Sequence, residues 1–332
     1  MMGAVIACSS AVLLLAVIFC VLALVSRLRY KRSLMATVSE IYLKIASPKF
    51  SEKRAYRIFE RQFKKADEKV KIPRAAGRFC KYREAELYGV QTLIYNEEKS
   101  SDSCLLYLHG STYVRKPRYW HFRFASRLAS LTGAAVVFPI YPKAPKNTAS
   151  KVFPIMEQIY SDIRERYGKV ILIGDSAGAG LALGLAEGFG KKGIQAPDRL
   201  ILMSAWVDIS LANSCISGYK SRDPMVCTVS TRMWGRAWRG ELSSSDYRVS
   251  PIYGDMMGLC PVTVFVGTRE VLYPDTKMLV DMLRDSRVKV DLHIGEGLNH
   301  VYPIYPIPEA KQALRQILSA IEITCKSTVA EG

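Results

Sequence analysis

Lys169-Val-Ile-Leu-Ile-Gly174-Asp175-Ser176-Ala177-Gly178-Ala-Gly-Leu-Ala-Leu183 is the stretch on which the reading of this chain turns. A short apolar run stops abruptly at Gly-Asp-Ser-Ala-Gly, and an Ala/Leu-rich segment begins at once. That predicts a strand, a sharp turn and a helix, with Ser176 at the apex. A nucleophile pinched in such a turn sits on strained backbone, and a Cβ at Gly174 or Gly178 would collide with the neighbouring elements. The turn lifts the hydroxyl clear of the sheet and aims a helix N-terminus at the place where negative charge would develop. Gly-x-Ser-x-Gly arises by chance in roughly one chain in ten of this length. It gains weight from the strand before it, the helix after it and the pieces that follow elsewhere.

Upstream, strand-like runs at Phe79–Tyr88 and Gln91–Tyr95 flank Gly89-Val90 and predict an edge hairpin. Cys104–Leu108 is a short apolar strand ending in His109-Gly110-Ser111-Thr112-Tyr113. A helix over Tyr119–Leu131, a buried strand over Ala134–Ile140, the segment Tyr141-Pro-Lys-Ala-Pro145 and a helix over Ala149–Arg166 lead into the Ser176 strand. Downstream come strands at Arg199–Ser204, Val262–Gly267 and Val288–Ile294, with helices at Pro274–Asp285 and Glu309–Ile323. Residues 209–250 have no strand rhythm and carry Trp234, Trp238 and Asp223-Pro224, as an inserted cap would. Strands alternating with helices imply an α/β fold with a mostly parallel sheet covered on both faces.

The 332 residues are 49% hydrophobic, enough for one large α/β core, and carry a net charge of +17. Between Ser26 and Arg83, 18 Lys/Arg face only 5 Asp/Glu. Gly3 to Val25 is a charge-free apolar run of 23 residues, long enough at ~1.5 Å per residue to cross a ~30 Å bilayer core. It lacks both a basic n-region and a small-x-small cleavage site, which favours a retained anchor over a signal peptide. Arg27, Arg29, Lys31 and Arg32 follow directly and predict a cytoplasmic C-terminal side. The basic stretch is accordingly read as facing membrane lipid rather than nucleic acid. Leu34, Val38, Ile41, Leu43 and Ile45, then Tyr56, Ile58, Phe59 and Phe63, recur at helical spacing, with Ser47-Pro48 as a break. The expected domains are thus an anchor over 1–25, basic amphipathic helices over 26–78 acting as a lid or resting on the membrane, and an α/β domain over 79–332 with the cap inserted at about 209–250. The eight cysteines show no C-x-x-C pair and no metal-ligand spacing, as expected of thiols in a reducing compartment. No cofactor and no metal is called for, and oligomeric state has no signature.

A serine hydroxyl needs a base within hydrogen-bond reach. His109 follows a strand and suits bracing a loop, His121 lies on a charged helix, and His293 lies within the last strand. His300 alone occupies a Gly-bounded loop between the final strand and the final helix, and is the expected base. A carboxylate must orient it. Glu270, just past the Val262–Gly267 strand, is preferred over Asp275, which suits a helix-start charge. Oxyanion donors are expected from the Ala177 amide and from the loop Gly110-Ser111-Thr112.

These motifs resemble the hormone-sensitive-lipase-like (GDXG) family of α/β hydrolases over about residues 80–325. The matching pieces are His109-Gly110-Ser111-Thr112, Tyr141 to Pro145, Gly174 to Gly178, Asp223-Pro224, Ser250-Pro251, Glu270-Val-Leu272 and His300, in family order. The resemblance implies esterase activity on small acyl esters. It breaks at Ser111, where the family has a second glycine: a positive φ there would strain the serine and shift the oxyanion hole. An amidase or deacetylase would use the same groups. A non-catalytic binding protein on this fold is the rival class, and the presence of all three catalytic residue types argues against it.

Overall fold

The computed structural model describes residues 2–46, 52–64, 68–98 and 102–326, with the side chains of the first helix described from Leu13 onward apart from Leu15. Eight strands form one sheet: β1 (Tyr82–Leu87), β2 (Val90–Tyr95), β3 (Ser103–Leu108), β4 (Ala135–Pro139), β5 (Lys169–Asp175), β6 (Arg199–Met203), β7 (Val262–Gly267) and β8 (Val290–Gly295). Their order is β1-β2-β4-β3-β5-β6-β7-β8. β1 and β2 pair antiparallel, as do β2 and β4, and every later pairing is parallel. The β1–β2 hairpin turns through Tyr88 and Gly89, both at positive φ (50° and 77°), the backbone of the mirror-image turn that matches strand twist.

The helices are α1 (Met2–Leu28), α2 (Leu34–Ala46), α3 (Glu52–Lys64), α4 (Tyr119–Thr132), α5 (Ala149–Arg166), α6 (Ala177–Lys191), α7 (Thr228–Arg239), α8 (Tyr273–Asp285) and α9 (Pro308–Lys326). β3 to β7 are buried on both faces, which is why they read as unbroken apolar runs. Alternation along β3 sorts the layers: Cys104, Leu106 and Leu108 pack with α5, α6 and α8, whereas Leu105 and Tyr107 pack with α4 and α9. Parallel pairing brings the carboxyl ends of β3, β5, β6, β7 and β8 to one rim, where such sheets bind ligands.

The segment over 209–250 contains no strand; it is loop, a short 3-10 turn and α7, closing over that rim. α3 packs on α7, with Ala55 fully buried and Phe59 against the core. Ser47-Pro48 lies outside the described residues.

Among the described residues no helix is long and apolar enough to cross a membrane; the expected anchor over Gly3 to Val25 falls within α1.

Candidate active site

Ser176 sits between β5 and α6 at φ 53° and ψ −119°, backbone that few non-glycine residues adopt. Its amide donates to the Met203 carbonyl (2.8 Å) and its own carbonyl accepts from the Trp206 amide (3.1 Å), so two bonds to the neighbouring strand end hold the strain. A Cβ on Gly178 would run into the Leu108 carbonyl, and one on Gly174 would lie 2.5 Å from the Gly178 carbonyl oxygen. The helix and strands can approach this closely only without those side chains.

The Ser176 hydroxyl lies 2.9 Å from His300 Nε2, and His300 Nδ1 lies 2.5 Å from Glu270 Oε2. With Nδ1–H donating to the carboxylate, the Nε2 lone pair is left to accept the serine proton. Burial by itself would push the His300 imidazole down. The hydrogen bond and charge of Glu270, helped by the fields of Asp223 and Asp175, outweigh that and hold it above its ordinary value of 6.5. Glu270 is fully buried, and its other oxygen accepts from the Gly267 amide (2.6 Å) and the Ser204 hydroxyl (2.8 Å). Ser204 in turn accepts from the Val301 amide (2.9 Å), clamping the acid and base loops together.

Asp275 stays away from this relay. It is buried in the first turn of α8, where burial and then Asp208 push its carboxyl up to about 6 against the help of Asn213. Asp223 has another position: Oδ1 accepts from the Met225 and Val226 amides and Oδ2 from Val271 (2.8 Å), tying the cap to the residue after Glu270.

The loop after β3 has positive φ at three consecutive non-glycine residues, Ser111 (110°), Thr112 (61°) and Tyr113 (62°). The buried Tyr113 ring, stacked 4.2 Å from Trp238, anchors it. Gly110 lies so close to Asp175 that a Cβ would strike the carboxylate. The Ser111 hydroxyl is buried and without a hydrogen-bond partner. Ala177, the first residue of α6, has an amide with no intrahelical acceptor.

Two histidines brace this framework. His109 Nδ1 donates to the Gly110 carbonyl (2.5 Å) and the ring stacks on Tyr141; burial, then the neighbouring His121, drive it down to about 3. His121 lies on α4, the helix expected for it, and its ring is buried. Its Nδ1 accepts from the Arg118 amide (2.8 Å), so Nε2 donates toward Asp175 (3.2 Å), which Tyr107 also holds (2.7 Å). Burial alone would raise Asp175; those donors and the Gly110 amide bring it below the usual carboxylate range. His293 lies on β8, stacked on Phe265.

Sequence reasoning missed Ser204, His121 and Glu40. Glu40 on α2 is buried and receives a two-pronged bond from Arg269 (2.9 Å each) and one from Arg32 (2.5 Å). The residue next to Glu270 is thereby fastened to the N-terminal helices. Nothing in a single sequence links position 40 to position 269.

Ser176, His300, Ser111 and Thr112 open on one cavity of about 660 Å³, roofed by the cap and by Tyr42 and Leu43 of α2. Among the described residues no group of three or more His, Cys, Asp or Glu is arranged to hold a metal ion.

A serine on a strained turn at the rim of a parallel sheet, within hydrogen-bond reach of an imidazole that meets a buried carboxylate, defines a serine hydrolase of the α/β fold. A family described as alpha/beta hydrolase fold matches residues 105–304, and the chain belongs to it, as a hormone-sensitive-lipase-like member. An esterase of Acinetobacter venetianus is 27% identical over 241 residues, covering 71% of this chain and 80% of that one. An acetyl-hydrolase of Streptomyces hygroscopicus is 28% identical over 215 residues, 63% of this chain and 72% of that one. The crystal structure of an esterase from the bacterial hormone-sensitive lipase family shares the fold, with a TM-score of 0.73 at 22% identity over 87% of this chain and 96% of that one. The protein is an ester hydrolase.

Proposed function

We propose that the protein is a membrane-anchored serine carboxylesterase acting on small or medium acyl esters through an acyl-enzyme. The observation that carries this reading is the relay of 2.9 Å and 2.5 Å from Ser176 through His300 to Glu270 at the floor of a 660 Å³ cavity. Ser176 Oγ attacks the ester carbonyl carbon while its proton passes to His300 Nε2. Glu270 steadies the imidazolium. The amides of Ser111, Thr112 and Ala177 receive the oxyanion, with the α6 N-terminus adding a favourable field. As the carbonyl reforms, the alkoxide leaves with the proton from His300. Water then attacks the acyl-Ser176 carbonyl with His300 as base, releasing the acid and restoring the hydroxyl. The same groups would cleave an amide, given protonation of the leaving nitrogen.

Support for the anchor comes from the charge-free run Gly3 to Val25 and from described side chains exposed all round α1, among them Leu13, Val17, Phe19 and Leu24. The helices α2 and α3 then serve as part of the lid over the site, their basic faces toward anionic headgroups. The test is hydrolysis of p-nitrophenyl acetate, butyrate and octanoate by the wild type and by Ser176→Ala. Loss of turnover on every ester in the variant is expected; unchanged turnover would refute the nucleophile. Retention on membranes through a high-salt wash tests the anchor, and release by salt alone would refute it.

A further inference from the structure

The wall of the catalytic cavity carries two arginines that the esterase mechanism does not use. Arg115 and Arg118 both line it, following the Ser111-Thr112 loop. The Arg115 amide donates to the Ser111 carbonyl (3.0 Å), which fixes this residue one turn beyond the expected oxyanion donors. Its guanidinium lies 4.5 Å from the Trp234 ring centre, held between loop and cap. Its Nε is buried and has no hydrogen-bond partner. Among the described residues neither guanidinium is ion-paired with a carboxylate. The two carboxylates that line the cavity are engaged elsewhere, Asp175 by Tyr107 and His121 and Asp223 by three backbone amides. Burial, then the like charge of Arg118, lower Arg115 to about 10, so it remains a cation at neutral pH. Arg118 is exposed, whereas the partly buried Arg115 guanidinium has no carboxylate partner, and a cation so placed is costly in an empty site and favourable beside an anion. The planar fork of arginine suits carboxylate and phosphate oxygens.

We propose that Arg115 and Arg118 form a subsite for an anionic group, a carboxylate or a phosphate, carried by the ester substrate a few bonds from the scissile carbonyl. This rests on the esterase reading and narrows its substrate class.

The experiment compares kcat/KM within two matched pairs on the full-length protein. Acyl-side charge is read from p-nitrophenyl hemisuccinate against p-nitrophenyl butyrate. Alcohol-side phosphate is read from the dibutyrate of glycerol phosphate against tributyrin. The wild type is expected to favour the anionic member of at least one pair by tenfold or more, chiefly through KM, and to lose that preference as salt rises. Arg115→Met and Arg118→Met should each cut the anionic-to-neutral ratio at least tenfold, with Arg115→Lys restoring part of it. No anionic preference in either pair, or a preference indifferent to both substitutions, would overturn the subsite. Should a variant fail to fold, the wild-type ratios and their salt dependence still decide. Failure to hydrolyse even p-nitrophenyl butyrate would overturn the esterase reading itself, whereas failure of the subsite alone leaves butyrate hydrolysis intact.

Discussion

Replacing Ser111 by glycine separates strain from chemistry at the one place where the chain departs from its family. Ser111 holds φ 110°, and its hydroxyl is buried without a partner. A non-glycine residue in such a region costs ~1–3 kcal/mol, and glycine adopts it freely. Against that gain stands the larger unfolded-state entropy of glycine, ~0.4–1 kcal/mol. The net expectation for Ser111→Gly is about 1–2 kcal/mol of added stability, a rise of a few degrees in Tm. Turnover should match or exceed the parent, because the substitution keeps the backbone amide proposed to receive the oxyanion. Thermal unfolding and p-nitrophenyl butyrate hydrolysis on the two proteins provide both readings. If the hydroxyl itself donates to the oxyanion, turnover should instead fall by ~10²–10³. A fall of that size with an unaltered circular-dichroism spectrum would refute the strain argument and make Ser111 a catalytic side chain.

Glu270→Gln should lower kcat by about 10³–10⁴, since the relay loses its imidazolium partner, whereas Asp275→Asn should leave kcat near parental; the reverse order would refute the acid assignment. Activity requires neutral His300, whose pKa is raised, so the acid limb of kcat/KM should lie above pH 6.5 and move down in Glu270→Gln, where burial prevails; a limb that does not move would refute Glu270 as its cause. Glu40→Gln strands Arg32 and Arg269 without their counter-charge and should cost about 3–5 kcal/mol in urea unfolding. Burial would raise Glu40, but Arg269, Lys44 and Arg32 hold it at about 2 against an ordinary 4.5. Its stabilising contribution is therefore complete above pH 4.5 and lost as pH falls toward 2, a dependence that Glu40→Gln should lack.

How much of this was legible in one sequence depended on how local each cause is. The Ser176 turn was legible because a strand end, two glycines and a helix start are neighbours in the chain, and steric demand acts between neighbours. The alternation of strands and helices, the strandless segment over 209–250 and the loop position of His300 followed from hydrophobic period and chain order, whereas the sheet order β2-β4-β3-β5 came from the fold. The tightness of the Ser111–Tyr113 loop was visible only as a departure from a pattern, and its dihedral angles came from the fold. Contacts between distant segments were not legible at all. Ser204 meets Glu270 because β6 and β7 are sheet neighbours, and His121 reaches Asp175 because the first turn of α4 lies beside the carboxyl end of β5. Glu40 meets Arg269 because the N-terminal helices fold back over the rim. Arg115 reads as one more charge in a basic chain until the cap, through Trp234, closes over it. A charge on a linear chain is solvated and its partner undetermined. Burial by tertiary structure removes the solvent, and from then on the presence or absence of a counter-charge decides what the residue does.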